Sequence, residues 1–317
     1  MSTLPTRHRR RRTRLARSLT IVLAILLPVL AQAQTSRAEM EQRLHNPAME
    51  YQIGQMYYSG KGSLNGSGVE RDYAKALEHF RKAARYGSTD AVFSIGFMYY
   101  QGAGVAQDYA EALKWLTQAA AVHNGPAQLL LGRMHQYGEG VPKDTQKAIE
   151  WYKKEAVFES DMAEYALASV YLQGVHTPAP RGPGSRIMAV AGNPATGKPE
   201  IDIRFYPRLV DADIAEAEKW LLKAARRQNF DAMYTLASVY HEFQGDDPGK
   251  RQHMISLLKN LSLRGRADAQ VLLGILHFNG KLIEEDQAKA RQLFEAARRQ
   301  GNDDASILLD MLATLKP

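Results

Sequence analysis

The sequence predicts an all-α solenoid of helix-turn-helix repeats, and an internal repeat is the main observation behind this prediction. Six segments share similar lettering and each begins with an alanine: Ala91, Ala127, Ala163, Ala232, Ala269 and Ala305. The first three alanines are 36 residues apart, and an earlier copy runs from Gly54 to Gly62. A period of this size is typical of stacked supersecondary units that cannot bury their apolar faces alone. Such solenoids usually bind other molecules rather than transform them.

The first helix of each repeat is predicted from apolar spacing and a glycine stop. From Ala91 the sequence reads Ala-x-x-x-Ile-Gly-x-x-Tyr-x-x-Gly-x-Gly-Val. Ala91, Ile95 and Met98 have the i, i+4, i+7 spacing of one helical face. Gly102 and Gly104 predict the end of the helix, because glycine adopts the left-handed conformation found at helix C-termini.

The second helix is predicted to begin at an aspartate. Asp108 can cap the free N–H groups of the first turn, and Glu111 three residues later has the spacing of a capping box. The helix then carries an alanine and a tryptophan at fixed positions. All three tryptophans of the chain, Trp115, Trp151 and Trp220, occupy this one repeat position. That register indicates a packing role.

These features together resemble the SEL-one-like repeat family, which is related to the tetratricopeptide repeats. The resemblance rests on the glycine inside the first helix, the Gly-x-Gly-Val turn, the Asp and the Lys/Glu-Ala-x-x-Trp-x-x-x-Ala-Ala tail. It covers roughly residues 48–317, apart from one insertion. It implies a curved, right-handed α-solenoid of six repeats and a terminal half-repeat that acts as a scaffold, adaptor or regulator in protein complexes. The shared motif residues build the fold and do not identify the partner.

The first 33 residues have the organisation of a secretory signal peptide. Seven arginines precede an apolar run from Leu19 to Leu30, and Ala31-Gln32-Ala33 follows as a small-residue cleavage site. We expect cleavage near Ala33 and a mature protein that is periplasmic or secreted. An uncleaved anchor is the alternative, although the apolar run is short for a membrane span. The chain has no cysteine, so a lipoprotein anchor and the disulfide-stapled branch of the family are not implied.

The positive charge belongs to this N-terminal segment. The formal net charge of the whole chain is +7, and residues 1–33 contain seven arginines and no acidic residue. The remaining chain is therefore near neutrality. A nucleic-acid partner needs a basic surface excess, so none is predicted.

One segment interrupts the repeat period. Between the first helix of the fourth repeat and its second helix, residues 176–210 contain a Pro/Gly-rich stretch and two strand-like runs, Ile187–Ala191 and Ile201–Tyr206. Alternating β-branched residues around a Gly/Pro loop predict a β-hairpin. The insertion could carry binding or be a tolerated loop extension. We expect it to be dispensable for folding.

The predicted organisation therefore has four parts. Residues 1–33 form the signal peptide, and residues 34–175 hold repeats 1–3 with the first helix of repeat 4. Residues 176–210 are the hairpin insertion, and residues 211–317 hold the second helix of repeat 4, repeats 5–6 and the terminal half-repeat.

Motifs that could carry chemistry are incomplete. Gly192 to Lys198 fits the phosphate-binding pattern G-x-x-x-x-G-K, but the next residue is Pro199, which has neither the hydroxyl nor the N–H that nucleotide binding requires. Ser256 and Lys259 have the spacing of a serine acyl-enzyme motif without its companion motifs. The nine histidines are scattered. We therefore predict no catalytic residue, no metal site, no nucleotide and no cofactor.

Aromatic residues on one face of the first helices are the predicted partner-binding site. They are Tyr51, Tyr58, Phe93, Phe97, Tyr100, Tyr165, Tyr234 and Phe278. In helix-pair solenoids the first helices line the concave side, and large rings suit recognition of a peptide or helix. The alternative is that these rings fill the space between successive repeats.

The predicted function is a periplasmic scaffold or adaptor of a cell-envelope complex, such as exopolysaccharide or secretion assembly. Its partners would be envelope proteins, with the membrane reached only through a partner. One alternative is a periplasmic regulator that binds a sensor-kinase domain. Another is a cell-wall-linked hydrolase or penicillin-binding activity.

Overall fold

The predicted all-α fold of helix-turn-helix repeats is confirmed. A computed structural model describes residues 46–64, 67–172, 186–192, 199–204, 213–243 and 247–314, so the predicted signal peptide lies outside the described residues. These ranges contain thirteen helices: α1 Pro47–Ser59, α2 Tyr73–Arg85, α3 Thr89–Gln101, α4 Tyr109–Ala120, α5 Gly125–Tyr137, α6 Thr145–Ala156, α7 Asp161–Leu172, α8 Ile214–Arg226, α9 Phe230–Phe243, α10 Pro248–Leu263, α11 Ala267–Asn279, α12 Gln287–Arg298 and α13 Asp303–Thr314. They pack pairwise as repeats, and α13 follows as a half-repeat. The chain divides into two compact units, Met1–Ala127 and Gln128–Pro317.

An aspartate caps the second helix of each described repeat. The six residues are Asp72, Asp108, Asp144, Asp213, Asp247 and Asp286. Asp108 shows the geometry: its Oδ1 accepts from the backbone N–H of Ala110 at 2.9 Å and of Glu111 at 3.0 Å. Each such cap contributes about 1 kcal/mol by satisfying N–H groups that have no partner within the helix.

The backbone of the same aspartate also joins the two helices of a repeat. Five of these aspartates donate their backbone N–H to a carbonyl near the end of the preceding first helix, on Tyr57, Tyr99, His135, Tyr171 and His277. The Asp213–Tyr171 bond of 3.2 Å shows that the fourth repeat keeps this link across the insertion. Because the Asp108 N–H is already donated to Tyr99, Glu111 does not complete a capping box. Glu111 Oε2 instead accepts from the indole N–H of Trp115 at 3.2 Å.

A glycine inside the first helix lets the second helix approach closely. At Gly132 on α5, an added Cβ would lie 2.4 Å from Cε1 of Tyr152 on α6. At Gly274 on α11, it would lie 2.5 Å from Cε1 of Phe294 on α12. Both distances are shorter than a van der Waals contact, so the repeat needs glycine here because a large ring occupies the space of a side chain.

The predicted apolar face of the first helices forms the core. Ala91, Ile95 and Met98 have no exposed surface, and they pack with Phe80 of α2 in the N-terminal unit. A larger cluster fills the C-terminal unit along α8–α12, with Phe294 fully buried. The sequence pattern therefore identified the correct helix face.

Successive first helices are joined at their N-termini by asparagine side chains. Each asparagine accepts a backbone N–H of its own helix and donates from Nδ2 to an aspartate of the preceding first helix. The pairs are Asn124–Asp90 at 3.1 Å, Asn229–Asp161 at 2.8 Å and Asn302–Asp268 at 3.3 Å. Between α9 and α11 the link is made by Arg266, whose Nη2 donates to Asp231 Oδ1 at 2.7 Å. These links fix the register of neighbouring repeats.

Variants of Asn229 separate capping from the link between repeats. Asn229→Ser is expected to keep the cap, since Ser88 already caps α3 through the Ala91 N–H at 3.2 Å. Asn229→Ala loses both interactions and should cost about 1 kcal/mol more than the serine variant. Urea denaturation of the two variants measures the difference. Equal losses would show that the cap contributes nothing.

The carboxyl group of Asp268 is expected to make stability depend on pH. Burial raises its pKa above the ordinary value of 3.8, and the nearby Asp304 and Asp231 add to this, while Arg266 opposes it. Because the folded pKa is the higher one, this group lowers stability as pH rises from 3.8 through the folded pKa. The Asp268→Asn variant lacks the titrating carboxyl group and should not lose stability in this way. Its free energy of unfolding relative to wild type should therefore increase as pH rises from 3.8 through the folded pKa. Thermal melts across the pH range test this, and a constant difference between the two proteins would contradict it.

Two antiparallel hairpins accompany the helices. A short one, β1 Ser63–Leu64 with β2 Ser67–Gly68, lies in the first repeat and was not predicted. The other, β3 Arg186–Gly192 with β4 Pro199–Arg204, lies where the sequence predicted a hairpin and has an irregularity between Ile187 and Ala189. Ile201 of β4 is 2% exposed and belongs to the core of the C-terminal unit. This packing argues against the expectation that the insertion is dispensable for folding.

Candidate protein-binding surface

The predicted binding residues of α1 are half-buried against the N-terminal unit. The Tyr51 ring lies 5.6 Å from the Phe80 ring, and its hydroxyl accepts from Gln55 Nε2 at 2.8 Å. The Tyr58 ring lies 5.3 Å from Tyr73, and its hydroxyl donates to Gln101 Oε1 at 2.7 Å. Burial raises the pKa of Tyr58. Both rings therefore combine a packing role with some exposed surface.

Three of the predicted residues on α3 form a row of rings. The Phe93 and Phe97 rings stack with centroids 5.7 Å apart, and Phe97 and Tyr100 stack at 6.3 Å. Their spacing places them along one side of the helix. Tyr100 is only 9% exposed, whereas Phe93 and Phe97 are half-buried. The two phenylalanines thus offer partly exposed apolar surface, and stacking holds their side chains in place.

In the C-terminal unit the structure corrects part of the predicted set. Tyr234 on α9 is 4% exposed and Phe278 on α11 is 5% exposed, and both belong to the core cluster. Rings this buried offer almost no surface to a partner, so we assign them, with Tyr100, to packing. Tyr165 on α7 is half-buried, with its hydroxyl 3.4 Å from Thr235 Oγ1 and its pKa raised by burial.

A second feature of the N-terminal unit was missed by sequence reasoning. A cavity of about 370 Å³ is lined by Arg81, Ala84, Arg85, Val92, Trp115 and Gln118. Arg81 Nη2 donates to the Tyr99 hydroxyl at 3.1 Å, and within the described residues neither arginine pairs with a carboxylate. The lining combines positive charge with an indole ring, which suits an acidic side chain of a protein partner.

Two of the three tryptophans pack against a core, and lysine side chains lie over the rings of two of them. Trp115 packs against the core of the N-terminal unit and Trp220 against that of the C-terminal unit. Lys154 Nζ lies 3.8 Å from the centre of the Trp151 ring, and Lys223 Nζ lies 4.1 Å from that of Trp220. These cation–π contacts occupy ring faces that the packing leaves accessible.

Sequence reasoning also missed a contact between α11 and the insertion. Asn279, the last residue of α11, accepts from the backbone N–H of Ile201 at 3.0 Å and donates to its carbonyl at 2.9 Å. The equivalent repeat positions hold Gln101 and Tyr137, so the repeat pattern carries no signal for this asparagine.

The described residues contain few elements of catalytic chemistry. Ser256 and Lys259 are exposed on α10, away from any described cleft. No group of three His, Asp or Glu side chains within the described ranges could hold a metal ion. A strand begins at Pro199 where a nucleotide-binding loop requires a helix. Across the part of the chain that is described, no helix has the length and apolar character needed to cross a membrane.

Comparison with protein families identifies the repeat. The Sel1 repeat model matches residues 47–88, 89–122, 125–154, 204–229 and 267–302, which together exceed half of the chain. The chain therefore belongs to the Sel1 repeat family. This membership defines a repeat scaffold of the kind that mediates protein interactions.

Solved structures share this fold. The crystal structure of c5321, a protective antigen of uropathogenic Escherichia coli with an SLR fold, matches with a TM-score of 0.63 and 23% identity over 86% of this chain and 50% of that chain. The chain thus spans about half the length of that relative. A Sel1 repeat protein from Oxalobacter formigenes matches with a TM-score of 0.60 and 26% identity over 81% of this chain and 89% of that one. No curated protein sequence matches the chain.

Proposed function

We propose that this protein is an exported scaffold or adaptor that holds together a cell-envelope complex, such as an exopolysaccharide or secretion assembly. Membership in the Sel1 repeat family supports the scaffold role. The arginine-rich start, the apolar run and the Ala-x-Ala site of residues 1–33 support export to the periplasm. On this proposal the membrane is reached only through a partner protein.

The observation that carries the proposal is the stacked pair Phe93 and Phe97 on α3. Their rings lie 5.7 Å apart and are half-buried. Exposed aromatic surface that is already ordered loses little conformational entropy on binding, and aromatic residues are enriched among the side chains that dominate binding energy. We therefore place the main protein contact at this pair.

Affinity capture from envelope extract tests the scaffold role. The mature chain, beginning at Gln34, would be immobilised beside a Phe93→Ser/Phe97→Ser variant and a Lys114→Ser control on the exposed side of α4. Wild type and control should bind the same envelope protein equally well. The double variant should bind it at least about thirtyfold more weakly if each of the two rings contributes about 1–2 kcal/mol. Equal retention by all three proteins would contradict the proposed contact.

The mature N-terminus tests export separately. Mass spectrometry of the protein from its producing cells should show a chain that begins at Gln34. Recovery of an intact species that keeps residues 1–33 in the membrane fraction would contradict cleavage.

A further inference from the structure

The outer edge of β4 is paired with a side chain instead of a strand. On its other side, β4 pairs with β3, with Ile201 opposite Val190. In an antiparallel pair, both backbone groups of a given residue point to the same side. Those of Ile201 are both bonded to Asn279, at 3.0 Å for the N–H and 2.9 Å for the carbonyl. The amide of Asn279 therefore takes the place that the backbone of a third strand would have.

The side chain of Ile201, whose backbone is bonded to Asn279, is also buried. Ile201 is 2% exposed and is part of the core cluster of the C-terminal unit, while Asn279 is half-buried. The contact of β4 with α11 thus combines two features: a primary amide that binds backbone groups, and the burial of one branched apolar side chain in the core cluster. Recognition of an extended segment by these two features together is the physical basis of strand addition.

The strand that fills this surface comes from another repeat. The insertion lies between α7 and α8 of the fourth repeat, whereas Asn279 belongs to the sixth. The segment is therefore tethered to the surface from a distance in sequence and is not part of the repeat that it covers. A tethered segment competes with a free ligand at an effective concentration of roughly millimolar.

We propose that this surface, the strand-accepting site formed by Asn279 and the part of the core cluster that buries Ile201, binds an extended segment of the partner protein. β4 is its intramolecular occupant and must be displaced first. The partner segment needs a β-branched or similar apolar residue at the position of Ile201, with backbone N–H and carbonyl groups free to meet Asn279. This inference deepens the proposed function, since it specifies the kind of partner segment that the scaffold takes.

A peptide added in trans tests the site without knowledge of the partner. The probe is a fluorescent peptide with the sequence of residues 186–204, and the protein is a variant that lacks residues 180–207. Fluorescence anisotropy should show saturable binding to this variant and at least about tenfold weaker binding to the full chain, in which the tethered strand competes. A peptide carrying Ile201→Asp and a deletion variant carrying Asn279→Leu should each bind about tenfold more weakly, because each loses one of the two recognition features.

A second variant covers the case in which the deletion does not fold. In the full chain, Ile201→Asp should detach β4 from α11 and leave the site open to the same peptide. Absence of binding to whichever variant is folded would overturn the proposal, and so would equal binding to the wild-type chain. Peptide binding combined with a failure of the envelope capture would retain the site and reject the proposed function. Successful envelope capture without peptide binding would reject the strand-accepting site and leave the proposed function standing.

Discussion

Replacing Phe294 by alanine is expected to lower the free energy of unfolding by about 3–5 kcal/mol. The ring is fully buried in the C-terminal unit and fills the space beside Gly274. Gly274 has no side chain that could move into the cavity left by the ring. We therefore expect relaxation to recover little of the lost free energy of unfolding. Urea denaturation with an unchanged slope measures the effect.

The same measurement decides between the two interpretations of the first-helix aromatics. Alanine variants of Tyr51, Phe93 and Tyr165, all half-buried, should lose less than Phe294→Ala if their exposed surface serves a partner. We expect about 1–2 kcal/mol for Phe93→Ala, the value for partial burial of an apolar ring. Losses equal to that of Phe294→Ala at all three positions would mean that the rings are core and would exclude a groove.

The Gly132→Ala variant is expected to be less stable by about 2–4 kcal/mol, although alanine is the better helix former. The new Cβ would lie 2.4 Å from the Tyr152 ring. The ring cannot easily retreat, since its hydroxyl donates to Gln136 Oε1 at 2.7 Å and both side chains are buried. Overpacking and the strained hydrogen bond outweigh the roughly 1 kcal/mol gained in helix propensity.

A double-mutant cycle supplies the control for this prediction. In a Tyr152→Leu background the ring is absent, so Gly132→Ala should cost less than about 1 kcal/mol or even stabilise. The coupling between the two positions would then account for most of the effect. An equal cost in both backgrounds would contradict the steric explanation.

The parts of the fold that could be predicted from sequence are those that each repeat encodes locally. The apolar spacing of Ala91, Ile95 and Met98 identifies the buried face, and Asp108 identifies the start of a second helix, because both signals lie within a few residues of the structure they specify. The glycine inside the first helix is also visible in the repeated sequence. Its partner, an aromatic ring of the second helix in three repeats, becomes visible only when the two helices are packed.

The candidate site was predicted less well because burial depends on distant parts of the chain. Phe93 and Phe278 occupy the same face of their helices, yet Phe278 is 5% exposed and Phe93 is half-buried. The sequence period contains no information about β4, which packs against α11 from an insertion two repeats away. The hydrogen bonds of Asn279 to the backbone of Ile201 arise from the same long-range contact. The arginine-lined cavity likewise depends on three helices that meet at one place.

Site-specific photocrosslinking in the producing cells is the most direct test of the central claim that α3 carries the protein contact. A benzophenone amino acid would replace Phe97 in one variant and Lys114, exposed on α4, in a control. We expect one discrete envelope-protein adduct from position 97 and none from position 114. Adducts of the same partner from position 114 but not from position 97 would contradict it.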